Sequence, residues 1–249
     1  MLRQFVISCI LVFTVLGCDE LSPTEPSVPP MVGLMGVPGE FDFYLFAYEA
    51  KSELVSINKF TDEKRLDTIP WTNVANATFL TPNYTDVGIV NFRGIQLPRN
   101  PRNVYGAEVY FELSSAHTWE VQGAAGVGGF IDSIAAPKES ASIIGPPHGA
   151  DVSLSKNLKV SWTPTEDPDD FVAITMTSDV NNGSRGVVLS DLPDNGEHTL
   201  TPDQLARMGA GKATLMLSRG RYRAGENSVN QKYLMMIWSQ LERQVRIVN

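Results

Sequence analysis

The residues best suited to hold a metal ion lie in the run Glu166-Asp167-Pro168-Asp169-Asp170. Closely spaced carboxylates can present several oxygens to Ca²⁺, a hard cation satisfied by oxygen ligands, which makes Asp167, Asp169 and Asp170 the calcium candidates. The spacing departs from an EF-hand loop, which needs ligands at alternate positions, a turn glycine and a distal bidentate Glu. The other reading is an acidic loop between two strands, its turn set by Pro168 and the carboxylates. His117, His148 and His198 are the histidines of the chain, and none stands at metal-ligand spacing from another His or a Cys. A Gly-x-Ser-x-Gly nucleophile elbow is missing from the sequence. The glycine-rich stretch Gly123-Ala124-Ala125-Gly126-Val127-Gly128-Gly129 lacks the Lys-Ser/Thr of a phosphate loop and opens no helical pattern, so it reads as a turn between strands. Sequons at Asn76, Asn83 and Asn182 read as chance matches. These residues imply no catalytic group and no cofactor.

Short segments of period-2 alternation, separated by turn residues from about Phe41 onward, must position these groups. Ala107 to Leu113 alternates apolar residues with carboxylates or a phenol, and Leu158 to Thr163, Val172 to Thr177 and Ala213 to Ser218 follow the same logic, as half-exposed antiparallel strands would. The expected fold class is all-β, with two antiparallel β-sandwich-like domains: an N-terminal β-domain at 39–138 and a second at 139–249. The Pro-bearing stretch from Ala136 to Gly149 marks the boundary. One short helix is expected near 202–208, with Thr201 as N-cap, Pro202 at N1 and Gln204 closing a capping box. Lys232 to Leu241 matches both helical and strand spacing; the alternation of Val245-Arg246-Ile247 favours strand. Phe41, Phe43, Tyr44, Phe46 and Tyr48 occupy both parities of one strand. They form either an exposed aromatic platform for sugar rings or a protein partner, or a strand buried on both faces. Trp119 and Trp162 read as core and Trp71, after Pro70, as a loop residue.

At the N-terminus, positive charge at Met1 and Arg3 precedes an apolar run from Phe5 to Leu16 that is too short to span a bilayer, the profile of a secretory signal. Val15-Leu16-Gly17-Cys18 at its end resembles the lipobox of bacterial lipoprotein precursors. The resemblance implies a signal peptide at 1–17 and an acylated Cys18 that anchors the chain to a membrane. Cys9 lies in the removed segment, which leaves Cys18 alone and no disulfide. Removal also takes Arg3, so 19 Lys plus Arg face 28 Asp plus Glu, a net charge of −9 that disfavours nucleic acid and anionic headgroups. Residues 18–38, rich in proline and short polar side chains, read as a tether reaching up to roughly 60 Å. Asp19 resembles an inner-membrane retention signal of enterobacteria, whereas acidic residues after the cysteine resemble surface-export signals of Bacteroidota. The expected location is the envelope, at the outer membrane in preference to the inner.

From Ser142 to Asn249 the chain resembles immunoglobulin-like or fibronectin type III-like domains of bacterial surface lipoproteins. The resemblance rests on Ile144-Gly145-Pro146-Pro147-His148-Gly149, on Leu158-Lys159-Val160-Ser161-Trp162-Thr163-Pro164 and on Asp167 to Ile174, with a hairpin-like Asp194-Asn195-Gly196 turn. It implies a fold and not an activity; the conjunction of lipobox, tether, two β-domains and missing catalytic motifs points to a non-enzymatic envelope lipoprotein acting as a binding or spacer module for protein or glycan. Two alternatives stay open: a glycan hydrolase using carboxylates from different strands, and an accessory subunit of an export or assembly machine.

Overall fold

A computed structural model describes residues 41–57, 64–79, 86–101, 104–110, 112–165, 167–180 and 183–249. Cys18, the signal segment and the tether lie outside these residues. Among the described residues fifteen strands run in the order β1 (Phe43–Ile57), β2 (Lys64–Phe79), β3 (Val90–Phe92), β4 (Ile95–Gln96), β5 (Val104–Glu108), β6 (Ala116–Val121), β7 (Phe130–Ala135), β8 (Ile143–Gly145), β9 (Asp151–Ser153), β10 (Leu158–Trp162), β11 (Phe171–Val180), β12 (Gly183–Pro193), β13 (Glu197–Leu200), β14 (Gly211–Glu226) and β15 (Lys232–Val248). The helix α1 (Pro202–Leu205) precedes β14. Apart from this one short helix the described residues are all-β, as their alternation predicts.

One large sheet, ordered β12-β11-β14-β15-β1-β2-β5 with β9 paired to the end of β15, runs through the molecule. Two smaller sheets, β4-β3-β6-β7 and β13-β10-β8, pack on it side by side. In the second sandwich, β8 and β10 lie in one sheet while β9 crosses to pair in parallel with β15, and the strands are divided between the sheets as in immunoglobulin-like and fibronectin type III-like folds. The hairpin of β14 and β15 is longer than that sandwich needs. Its base closes the second core, and its distal half continues the sheet, where Phe43 to Ser52 of β1 pair in parallel with Tyr233 to Glu242.

The first core joins Phe43, Leu45, Phe79, Phe92, Tyr105 and Trp119 to Tyr233, Met235 and Ile237 of that hairpin. The second joins Val160, Trp162, Ile174, Leu200, Leu215 and Leu217 to Leu241, Val245 and Ile247 of the same strand. β15 can serve both because it lies between β14 and β1: Tyr233 to Gln240 are buried at both parities, as in a central strand covered on two faces.

Several local expectations hold and others are corrected. Thr201 caps α1 in a reciprocal capping box with Gln204, but the helix ends at Leu205 and Met208 follows in a turn. Trp119 and Trp162 are core residues, whereas Trp71 falls inside β2, not in a loop. β5 stops at Glu108, short of the predicted strand to Leu113. β11 is not half-exposed: Phe171 to Ile174 are all buried, because the strand contributes to clusters on both faces of the large sheet. Asp194-Asn195-Gly196 forms a tight turn, with Gly196 at φ +92°, but it carries the chain from β12 in the large sheet to β13 in the small one. It is therefore a crossover between sheets and not a hairpin. The glycine-rich stretch is the turn between β6 and β7, with Gly123 and Gly126 at positive φ.

Candidate functional site

Beyond Leu217 the inward parity of β14 changes from apolar to cationic: Arg219, Arg221 and Arg223 continue the row of Ala213, Leu215 and Leu217. They meet the surface where the two sandwiches adjoin. Burying guanidinium groups is costly unless they are paired, and here each of the three groups lies against carboxylate or carbonyl oxygen. Arg219 is fully buried; its Nε lies 3.0 Å from Asp194 Oδ2, one terminal nitrogen donates to the Ser140 carbonyl at 3.1 Å and the other to the Thr163 carbonyl. Asp194 also accepts from Trp162 Nε1 at 2.6 Å and from Thr165 Oγ1 at 2.7 Å. Burial by itself would raise the Asp194 carboxyl, but Thr165, Trp162 and Arg219 outweigh it and hold the group below the usual range.

Arg221 receives two of the three calcium candidates, Asp167 and Asp170. Its Nε lies 2.5 Å from Asp170 Oδ1 and its Nη2 2.6 Å from Asp167 Oδ2. Lys138 Nζ approaches Asp167 at 3.0 Å, and Thr165 Oγ1 lies 2.9 Å from Asp170, its one proton shared between that carboxylate and Asp194. Asp169 contributes its backbone N–H to Asp167 Oδ1 at 3.1 Å. Asp167 is held below its ordinary range, first by Lys138 and then by the Asp169 N–H and Arg221. The carboxylates of Asp167 and Asp170 thus face cations of the chain itself, Arg221 at both and Lys138 at Asp167. Among the described residues no group of three or more His, Cys, Asp or Glu is disposed to hold a metal ion.

The row ends at Arg223, which reaches Asp132 at 3.2 Å and the Ser133 carbonyl at 3.1 Å. Tyr233 Oη donates to the same Asp132 at 2.8 Å, and burial together with that carboxylate pushes the phenol up to about 12. β1 and β15 supply the rest of the belt. Glu49 accepts from Ser140, Ser239 and Lys51 at 2.6, 2.8 and 2.9 Å, and these bonds hold it low against the opposing effect of burial. Buried Arg243 forms a bidentate pair with buried Glu53 at 2.5 and 2.6 Å and donates to the carbonyls of Ile143 and Pro146. The segment from Asp132 to Pro146 is thereby fastened to three strands of the shared sheet.

Beside this belt lies an open groove of about 580 Å³, lined by Ser133, Asp169, Phe171, Pro193, Arg221 and Tyr222. Tyr222 is 42% exposed and leans on Phe171 at 6.0 Å. The histidines sit on separate elements: His198 in β13, His148 in the turn before β9, and His117 in β6, buried against Phe92 with Nε2 2.7 Å from the Glu112 carbonyl. Burial lowers the His117 pKa. The aromatic strand is divided by parity, with Phe43 in the first core and Tyr44, Phe46 and Tyr48 on the opposite face, where Tyr48 stacks on Trp238 at 4.8 Å.

The belt was not anticipated from sequence, although a signal exists. Arg219-Gly220-Arg221-Tyr222-Arg223 places cations on the same parity as the apolar residues before them, and charges on a buried parity require buried partners.

No family model matches the chain, and no curated protein matches it. Among solved structures, the FN1–FN3 domains of chicken CNTN1 align at 10% identity over 81% of this chain and 67% of that one, with a TM-score of 0.24. A bacterial ice-binding adhesin aligns at 13% identity over 70% of this chain (TM-score 0.20), and a Corynebacterium diphtheriae protein described as membrane anchored at 14% over 82% (TM-score 0.23). This chain spans 58% and 59% of the length of those two structures. The sandwich assignment accordingly stands on the strand order of the molecule itself.

Proposed function

We propose that this chain is an envelope lipoprotein, anchored through acylated Cys18, whose joined β-sandwiches act as a stiff, non-enzymatic spacer or binding platform for a protein or glycan at the outer membrane. The observation that carries the reading is the shared sheet, in which one hairpin closes both cores and a belt of buried ion pairs fastens the junction. Such a junction resists the relative motion expected of modules joined only by a linker. Exposed Tyr222 beside Pro193 in the groove offers an apolar ring face of the kind that stacks on a sugar or receives a partner side chain. The hydrolase alternative draws little support from the junction, because its converging carboxylates are engaged by Arg219, Arg221, Arg223 and Arg243. No helix of the described residues is long and apolar enough to cross a membrane; the attachment proposed is the lipid on Cys18, from the lipobox resemblance of Val15-Leu16-Gly17-Cys18.

The test is intact mass and membrane fractionation of the full chain and of Cys18→Ala in the native host, with protease added to whole cells. Acyl mass, outer-membrane fractionation and shaving from intact cells are expected for the wild type, all lost in the variant. An unmodified, soluble wild-type chain would overturn the proposal.

A further inference from the structure

The face of the large sheet turned away from both small sheets carries a third apolar cluster: Tyr44, Phe46 and Tyr48 from β1, Leu234, Met236 and Trp238 from β15, and Phe171 and Ala173 from β11. Every described member belongs to this one sheet, apart from Phe41 immediately before β1. Yet Leu234 is 0% exposed, and Tyr44, Met236 and Trp238 are each 2% exposed. Side chains standing on one sheet face shield each other's flanks but not their tips, so the cluster requires a cover.

Topology narrows the choice. The β1–β2 connection leaves after Ile57, nine residues beyond Tyr48, and the β11–β12 connection after Val180, nine beyond Phe171; each is about 30 Å along its strand. β2 ends at Phe79 in the first core, and β3, the next described strand, belongs to the facing sheet on the opposite side. Phe41, the first described residue, packs edge-on against Tyr44 at 5.9 Å, so the segment before it begins at the cluster. Within it, residues 18–30 are proline-rich and polar, whereas residues 31–37 include Met31, Val32, Leu34, Met35 and Val37. At about 3.3 Å per residue that stretch reaches roughly 13 to 33 Å from Phe41, and the three strand spacings from β1 to β11 amount to about 14 Å.

We propose that residues 31–37 dock across the outer face of the shared sheet and are the cover that keeps Met236 and Trp238 dry. The free leash is then residues 18–30, about 40 Å at full PPII extension, and the body stands closer to the membrane than the whole proline-bearing stretch would allow. The docking does not depend on acylation: an unmodified Cys18 would remove the lipoprotein reading and leave this one in place.

Amide exchange of the full chain in lipid nanodiscs tests it directly. Residues 31–37 are expected to exchange at least roughly 100-fold slower than an unstructured chain; exchange at the unstructured rate overturns the proposal. In parallel, Leu34→Asp combined with Met35→Asp should raise iodide quenching of Trp238 several-fold, the signal being isolated by subtracting the matching Trp238→Phe chains. Val28→Asp in the leash should leave it unchanged. Quenching unaffected by the double substitution overturns the assignment, and so does shielding that vanishes when the wild type is diluted, which would make a second copy the cover.

Discussion

The two sandwiches differ in how they obtain their cores. Every residue of the second core lies between Ala141 and Ile247, so that module is one contiguous stretch of chain. The first draws its strands from Phe43 to Ala136 but imports Tyr233, Met235 and Ile237 from a hairpin that the second module builds. Burying three such side chains contributes about 1.5–3 kcal/mol each, together on the order of the whole stability of a small domain. Dependence should therefore run one way: the first module needs the second for closure, and the second does not need the first.

The largest expected effect comes from cutting that dependence. Residues 39–138 expressed alone should give no cooperative thermal transition by circular dichroism, while 139–249 should retain one; a cooperative melt of 39–138 would break the comparison. Next in size is the loss of one partner from the buried junction. Asp194→Ala leaves Arg219 uncompensated at 0% side-chain exposure and should cost about 3–5 kcal/mol in urea unfolding. Met235→Ala, which opens a cavity in the first core through a residue of the second module's hairpin, should cost about 2–5 kcal/mol.

Smaller effects follow from pH and have opposite signs on the two faces of the sheet. Glu49 and Asp194 are depressed in the folded state, so the stability they contribute is present above their unfolded values, near pH 4, and is lost as pH falls through the folded values. Glu242, on the outer face, is raised by burial against its bonds from Ser52 and Gln240. Its contribution is present below about pH 4.3 and is lost as pH rises through the folded value, leaving a net cost at neutrality. Glu242→Gln should thus stabilise the protein at pH 7 and have little effect at pH 3.5, whereas Glu49→Gln should destabilise it at pH 7. Urea midpoints at the two pH values check both.

Local devices were legible because their physics is local. The capping box at Thr201 and Gln204, the alternation of β10 and the positive-φ turn at Gly196 are each settled by residues a few positions apart. The destination of a strand is a non-local matter. Asp194-Asn195-Gly196 announces a turn but not that the next strand joins another sheet, and nothing near Lys232 says that β15 will pair with β1 some 190 residues earlier. What could be read there is the unbroken apolar run from Tyr233 to Trp238, the mark of a strand covered on both faces. Of the calcium candidates, Asp167 and Asp170 lie in the loop between β10 and β11, but the cation that gathers them, Arg221, lies about fifty residues away on β14 and has no local trace.

The most direct test of the one-way dependence places Leu215→Ala in the second core and follows unfolding in urea through two single-tryptophan chains, one reporting Trp119 in the first core and the other Trp162 in the second. Leu215 belongs to the second core and Trp119 to the first, so no shared cluster links them. The one-way dependence predicts that the Trp119 transition never lies above that of Trp162, so that a substitution lowering the second below the first draws the first down with it. A Trp119 signal that stays native at urea concentrations where Trp162 has unfolded would contradict it.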